Sequence, residues 1–141
     1  MGRAYVVARV GYMANREPVD RPDPRDWIET AEGLMRSRFE AFKDGDAAWL
    51  LRSWHSSTRP KRLHLTDNPT WRRLQIVETV GGGQNDVSGI VEFRASWSRY
   101  TDSVGTRPAG SVGTRPAESG VQHERSNFVR EGGRWFYVDG I

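Results

Sequence analysis

Glu124 is the residue of this chain whose surroundings in the sequence most suggest chemistry. It lies in a segment with the two-residue alternation of a β-strand, in which Ser126 and Phe128 share its face. If Phe128 points into the core, Glu124 does so too, and desolvation of an inward carboxylate is the usual preparation of a general base. The alternative is a structural ion pair, because buried carboxylates are rarely unpaired and the first predicted helix carries Arg36 and Arg38. We favour the pair with Arg38, which lies beside the apolar stripe of that helix.

A histidine and a tyrosine are the candidate hydrogen-bond donors for a site around this carboxylate. His55 follows Trp54 at the end of the second predicted helix, where it could act as a general acid or as a donor in a pocket. A lone histidine in such a position is more often a packing residue, and we favour that interpretation. The last predicted strand adds the phenol of Tyr137. The candidate pocket comprises Glu124, Ser126, Trp54, His55, Arg38 and Tyr137, and we assign no catalytic residue among them.

The sequence lacks the residues that several kinds of active site require. The chain has no cysteine, which excludes a disulfide framework, a cysteine nucleophile and any cysteine-based metal site. The three histidines, His55, His64 and His123, do not have the spacing of a zinc-binding helix. The three glycines of residues 81–83 are not followed by the Gly-Lys-Ser/Thr of a phosphate loop, and no Gly-x-Ser-x-Gly motif occurs. We therefore expect no metal and no cofactor.

Composition and charge describe a single domain of 141 residues without an apolar stretch long enough to span a membrane. The net charge is +3, and residues 52–73 hold six basic residues against one acidic residue. Such a strip beside Trp54 and Trp71 could contact phosphates, but we favour a solvated surface and do not expect nucleic acid as a partner. The absence of cysteine and of a clean signal peptide favours a cytoplasmic location.

Two helices are predicted ahead of all strands. Thr30 is the predicted N-cap of a helix over residues 30–43, and Gly45 is its predicted end. Asp46 is predicted to cap a shorter helix near residues 46–54. The apolar stripe of the first helix comprises Ala31, Leu34, Met35, Phe39 and Phe42, and that of the second comprises Ala47, Leu50, Leu51 and Trp54.

After the helices the hydrophobic period changes to two, which predicts about four antiparallel strands from Leu74 onward. In the first run Leu74, Ile76, Glu78 and Val80 share one face, and a turn at residues 81–86 follows. The second run is the clearest strand, with Val91, Phe93, Ala95 and Trp97 on one face. The third strand is expected at about residues 121–130 and the fourth at residues 134–139. Helices followed by antiparallel strands indicate an α+β fold with the helices on one face of the sheet.

Two segments are expected to lie outside the core. Residues 1–29 are predicted to be an extended leader, because three prolines and alternating charges accumulate in it. Residues 103–109 are repeated letter for letter at residues 111–117, and this Gly-, Pro-, Ser- and Thr-rich stretch cannot bury enough apolar surface to offset its ordering entropy. We therefore predict one domain, residues 30–141, with a loop insert at about residues 101–120.

Several long motifs make the chain resemble the bacterial YchJ family. They are Leu34-Met35-Arg36-Ser37-Arg38-Phe39 with Ala41-Phe42, Trp54-His55 with Ser57-Thr58-Arg59-Pro60, Val91-Glu92-Phe93, the stretch from His123 to Glu131, and Gly133-Arg134-Trp135-Phe136-Tyr137-Val138-Asp139-Gly140. The resemblance covers residues 30–140 apart from the insert. It implies a domain similar to nuclear transport factor 2, also described as SnoaL-like. In such a domain helices pack into the concave face of a curved antiparallel sheet and form a cone with an internal cavity.

The resemblance implies a fold and assigns no activity. Family members typically carry Cys-rich metal-binding motifs of the type found at the SecA C-terminus, and this sequence has none, so no metal or translocation role is carried over. We predict a non-catalytic module that uses the cone or the sheet surface to bind a small apolar or amphipathic ligand, or a protein partner, including a second copy through the sheet. The alternative is an isomerase- or hydrolase-like enzyme with Glu124 as general base and His55 or Tyr137 as donor. An open cavity with converging polar groups would favour the enzyme, and a cavity filled by Trp and Phe would favour the module.

Overall fold

The computed structural model describes residues 23–100 and 118–141. In these residues helices α1 (Ala31–Asp44) and α2 (Ala47–Arg52) precede strands β1 (Thr70–Gly81), β2 (Ser88–Arg99), β3 (Glu118–Glu131) and β4 (Arg134–Gly140). The strands form one antiparallel sheet in the order β1-β2-β3-β4, and α1 packs against one face of it, called here the inner face. The predicted α+β class, with helices before strands, is confirmed. Neither helix in the described ranges is long and apolar enough to cross a membrane.

Local hydrogen bonds explain where the two helices begin and end. Thr30 Oγ1 accepts a hydrogen bond from the Gly33 amide (3.0 Å), which satisfies one of the free N–H groups of α1. Gly45 ends α1 with a φ of 72°, a backbone conformation that favours a residue without Cβ. Asp46 Oδ1 then accepts from the Trp49 amide (3.0 Å) and caps α2. The predicted caps are confirmed, although α2 ends two residues earlier than expected.

The core lies between the apolar stripe of α1 and the inner face of the sheet. On β2 the predicted alternation is confirmed for Val91, Phe93 and Ala95, which are buried while Arg94 is exposed. It does not extend to Trp97, which is half-buried and outside the core, while the neighbouring Ser98 is buried. Trp49 is buried although it lies outside the predicted stripe of α2. The buried apolar residues are Ala31, Leu34, Met35, Phe39, Ala41, Trp49, Leu50, Val91, Phe93, Ala95, Phe128 and Trp135.

Strand β1 departs from simple alternation. Its pairing with β2 shifts between Ile76 and Glu78, so that the strand carries a β-bulge. As a result Glu78 lies opposite Glu92 on the outer face, while Ile76 and Leu74 stay packed against the core. The prediction that Glu78 and Val80 share the face of Leu74 is therefore wrong, because the extra residue reverses the alternation.

The chain just before α1 is tied to helix α2. Residues Pro24–Trp27 form a 3-10 turn, in which Asp23 and Asp26 cap each other's backbone reciprocally. The buried Asp26 carboxylate also accepts two hydrogen bonds from Arg52, at 2.7 and 3.1 Å. The prediction of an extended leader is wrong for residues 24–27, because the two aspartates supply the hydrogen bonds of a turn. Residues 1–22 lie outside the described residues.

Most of the predicted insert, residues 101–117, also lies outside the described residues. Residues 118–120, which the sequence assigned to the insert, belong to β3 and pair with residues 97–99. The strand starts earlier than predicted because β2 continues to Arg99 and offers these residues partners. Gly120 lies so close to the Trp97 indole that a Cβ at position 120 would be 2.8 Å from the ring.

Candidate functional site

A cavity of about 300 Å³ lies between α1 and the inner face of the sheet. Most of its wall is apolar, and its polar groups come from one position of α1 and from β3 and β4. The lining residues are Met35, Arg38, Phe39, Phe42, Trp54, Trp71, Phe93, Ala95, Gln122, Glu124, Ser126 and Tyr137. Of the six residues predicted for the pocket, all except His55 are among them.

Arg38 is a buried cation at the wall of this cavity, with 3% of its surface exposed. Its Nη1 donates both of its hydrogen atoms, to the Leu50 carbonyl (2.8 Å) and to Ser53 Oγ (2.7 Å), at the end of α2. Its guanidinium also lies over two aromatic rings, with Cζ 4.5 Å from the Tyr137 centroid and 5.2 Å from that of Trp54. Burial lowers the pKa of Arg38 to about 10, partly offset by Tyr137 and Glu124, so the side chain stays charged at neutral pH.

The second edge of the Arg38 guanidinium, formed by Nε and Nη2, makes no hydrogen bond to the described residues. In that part of the chain Ser98 Oγ is the only fully enclosed polar side-chain atom without a partner. Nε and Nη2 are therefore not fully enclosed, and they belong to a side chain that lines the cavity. A guanidinium edge of this kind is the donor pair that binds a carboxylate with two parallel hydrogen bonds.

Glu124 lines the same cavity without forming the predicted ion pair. No arginine, lysine or histidine nitrogen of the described residues lies within 4.0 Å of its carboxylate. Its oxygens instead accept hydrogen bonds from Gln122 Nε2 (2.9 Å) and Ser126 Oγ (3.2 Å). The predicted Arg38–Glu124 pair is wrong because Arg38 binds the polar groups at the end of α2. The other candidate partner, Arg36, pairs with Glu32 on the surface of α1 (3.0 Å).

Trp54 and Tyr137 form an aromatic wall next to Arg38. Their rings meet edge to face with centroids 5.2 Å apart, and the two residues form an isolated backbone bridge between the segment after α2 and β4. Burial raises the pKa of Tyr137, and the negative charge of Glu124 adds to this effect. The phenol is therefore neutral at pH 7 and able to donate a hydrogen bond.

His55 lies outside the cavity, near the end of β3. Its Nε2 is 2.8 Å from Glu131 Oε2 and its Nδ1 is 2.7 Å from Ser57 Oγ, while its ring packs edge-on against Phe136. The segment 53–58 runs along β4 and places Trp54 inward, so the next side chain points away from the cavity. A donor role for His55 beside Glu124 has no support in this geometry, and the favoured interpretation of His55 as a packing residue agrees with it.

Seven of the twelve residues that line the cavity were not predicted for the pocket. Gln122 could have been found by stepping two residues back from Glu124 along the same strand face. Except for Trp71, the apolar positions were predicted as core residues, but nothing in their pattern indicates which core residues border a cavity. These are Met35, Phe39, Phe42, Trp71, Phe93 and Ala95.

The outer face of the sheet carries a chain of paired charges on β1, β2 and β3. Arg125 binds Glu92 (2.8 Å) and Glu78 (2.9 Å), and His123 Nε2 is 2.5 Å from Glu92. His123 and then Arg125 lower the pKa of Glu92. In the described ranges 23–100 and 118–141, no group of three or more His, Asp or Glu side chains is arranged to hold a metal ion.

Comparisons with known proteins agree with this architecture. The family model described as the middle, NTF2-like domain of YchJ matches residues 30–140. A UPF0225 protein of Streptomyces coelicolor is 42% identical over 111 residues, which are 79% of this chain and 73% of that protein. A UPF0225 protein of Corynebacterium efficiens is 42% identical over 108 residues, covering 77% and 70% of the two chains.

A solved structure supports the fold independently. The solution structure of a SEC-C motif containing protein from Rhodopseudomonas palustris superposes with a TM-score of 0.59 over 80% of this chain and 78% of that one. The two are 24% identical, so this likeness concerns the fold alone. Because the family model spans most of the chain and the relatives named above are 42% identical to it over the aligned residues, the chain belongs to the YchJ family, with residues 30–140 as its middle NTF2-like domain.

Proposed function

We propose that this domain is a binding module that takes up one small amphipathic molecule in the cavity between α1 and the sheet. The observation that carries the proposal is a cavity of about 300 Å³ with mostly apolar walls and a few polar lining groups. Sites for small molecules have this size and this composition. Of the two surfaces considered from the sequence, the cavity is favoured over the outer sheet face, where the charged groups already neutralise one another.

The state of the polar groups supports uptake of a ligand over a purely structural role. A cavity that served only to pack the domain would be filled, and its polar groups would be satisfied by each other. Here a buried guanidinium keeps one edge without a partner in the described residues, and Glu124 has only neutral donors there. Keeping such groups beside a mostly apolar cavity costs stability, which makes sense if a ligand completes their hydrogen bonds.

We expect Ala95→Leu to weaken binding of the neutral probe N-phenyl-1-naphthylamine by about tenfold or more, because the larger side chain fills the cavity. Ala95 is buried on the inner face of β2 and lines the cavity. The measurement is a fluorescence titration, with the melting temperature recorded for each variant. Arg94→Leu is the matched control, since it adds the same side chain one position away at an exposed site. Equal binding by both variants, or no saturable binding by the wild-type protein, would contradict the proposal.

Catalysis is the second candidate, favoured by the open cavity in which Glu124 and the neutral phenol of Tyr137 both lie. A carboxylate base facing a neutral donor is an arrangement that can remove a proton next to a carbonyl group. The test is deuterium incorporation from D2O into 4-phenyl-2-butanone, followed by NMR. An enzyme of this kind accelerates the exchange and loses the effect in Glu124→Gln, while Glu92→Gln on the outer face retains it. Exchange at the uncatalysed rate would remove this candidate.

Two expectations from the sequence remain predictions. A protein partner, including a second copy bound through the sheet, would show as a concentration-dependent sedimentation coefficient. A cytoplasmic location would show in cell fractionation.

A further inference from the structure

We propose that the ligand of this cavity carries a carboxylate with a hydrogen-bond donor on the adjacent carbon, that is, an amino or hydroxy acid with an apolar body. The inference rests on the proposed binding function and adds the chemistry of the ligand's head group. It follows from the two ionised side chains at the polar end of the cavity, Arg38 and Glu124, and from the hydrogen bonds that each leaves unmade in the described residues.

The cation selects the carboxylate. Both hydrogen atoms of Arg38 Nη1 are used by the end of α2, which fixes the orientation of the guanidinium plane. The remaining edge, with Nε and Nη2, belongs to a side chain that lines the cavity and is the donor pair that can bind the two oxygens of a carboxylate in parallel. Because Arg38 is 3% exposed, water competes weakly for this edge, and an anion there would supply the charge that the described part of the chain does not place within 4.0 Å.

The Glu124 carboxylate favours a ligand that carries a hydrogen-bond donor. Each oxygen of Glu124 accepts one hydrogen bond, from Gln122 or from Ser126, and each has capacity for another. A ligand with a carboxylate alone would be repelled by Glu124, whereas a hydroxyl or ammonium group beside that carboxylate would bind it. Tyr137 links the two positions, since its ring lies under Arg38 and its phenol is influenced by the charge of Glu124.

The rest of the wall selects an apolar body. Phe39, Phe93 and Trp71 line the cavity and offer aromatic contacts without further charge. A phenyl ring on a two-carbon chain is small enough for a 300 Å³ cavity together with its head group. Probes that share this body and differ in the head group therefore isolate the requirement.

The experiment is isothermal titration calorimetry of the full chain with 3-phenyllactate, phenylalanine, 3-phenylpropionate and phenethylamine. We expect 3-phenyllactate or phenylalanine to bind at least about tenfold more tightly than both 3-phenylpropionate and phenethylamine. The stronger of the first two identifies the ligand as a hydroxy or an amino acid. Equal binding of 3-phenyllactate and 3-phenylpropionate, or tightest binding of phenethylamine, would overturn the inference.

Two variants test the role of Glu124 in this preference. Glu124→Gln removes the repelling charge, so the advantage of 3-phenyllactate over 3-phenylpropionate is expected to fall below about threefold. Gly140→Ala keeps the charge but places a Cβ against the Glu124 carboxylate, which must move, and the advantage is expected to fall there too. If 3-phenyllactate keeps its full advantage over 3-phenylpropionate in both variants, Glu124 does not bind the donor group of the ligand.

The neutral probe separates this inference from the function on which it rests. If N-phenyl-1-naphthylamine enters the cavity and none of the four phenyl probes binds, the head-group inference fails and the binding function stands. If neither the naphthylamine nor any phenyl probe binds, both fail.

Discussion

Replacing Arg38 with methionine is expected to weaken binding of 3-phenyllactate by about 100-fold, the usual consequence of removing one partner of a buried charge-assisted contact. The same change is expected to alter the free energy of unfolding by less than about 1.5 kcal/mol, because two opposing effects nearly cancel. The variant loses the two hydrogen bonds of Nη1 to the end of α2. It also removes a buried charge whose lowered pKa reflects desolvation in the folded state.

The matched control is Arg36→Met, on the same helix but exposed and paired with Glu32. It should bind 3-phenyllactate like the wild-type protein. Calorimetric titration gives the affinities and urea denaturation gives the free energies of unfolding. A loss of 3–5 kcal/mol in Arg38→Met, about the cost of breaking a buried structural ion pair, would mean that Arg38 holds the fold together and is not kept for a ligand.

Asp26→Asn is expected to lower the free energy of unfolding by about 2–3 kcal/mol, the largest stability effect we predict. Asp26 binds Arg52 through two hydrogen bonds and fixes the 3-10 turn to the end of α2, next to the residues that hold Arg38. The effect stays below that of a fully buried pair because the Arg52 side chain is 34% exposed and regains water. Asp67→Asn, at an exposed position, is the matched control and should leave stability unchanged.

The same pair predicts how stability depends on pH. The hydrogen bonds from Arg52 lower the pKa of Asp26 in the folded state below its ordinary value. The stabilisation is therefore fully present above about pH 4 and is lost as the pH falls through the lowered pKa of the folded protein. Melting temperatures between pH 2 and pH 7 should fall more steeply in acid for the wild-type protein than for Asp26→Asn. Parallel curves would show that another carboxylate controls acid stability.

Local signals predicted most of the fold. The caps at Thr30, Gly45 and Asp46 depend on hydrogen bonds within three or four residues, so the sequence alone identifies them. The inner face of β2 was equally clear, because it alternates without interruption from Val91 to Ala95. The bulge in β1 was not predicted, since an extra residue in one strand is defined only by the register of its neighbour.

Five residues of the candidate site, among them Arg38 and Glu124, were predicted from the sequence, but the pairing between these two was not predicted correctly. Alternation brought Glu124 and Ser126 to the inner face, and helical spacing brought Arg38 beside the stripe that faces them. The acceptor that binds a buried arginine depends on the path of the chain after α2. No local sequence pattern predicts that path. The Leu50 carbonyl at the end of α2 accepts a hydrogen bond from the Arg38 guanidinium, which was predicted to bind Glu124.

The most direct test of the ligand-binding account is NMR of the arginine Nε–Hε groups during titration with 3-phenyllactate. We predict a saturable shift of the Arg38 signal, accompanied by the side-chain amide of Gln122, with no change at Arg125 on the outer face. Saturable shifts at Arg125 with an unchanged Arg38 signal would contradict the account, because they would place the ligand on the outer face of the sheet.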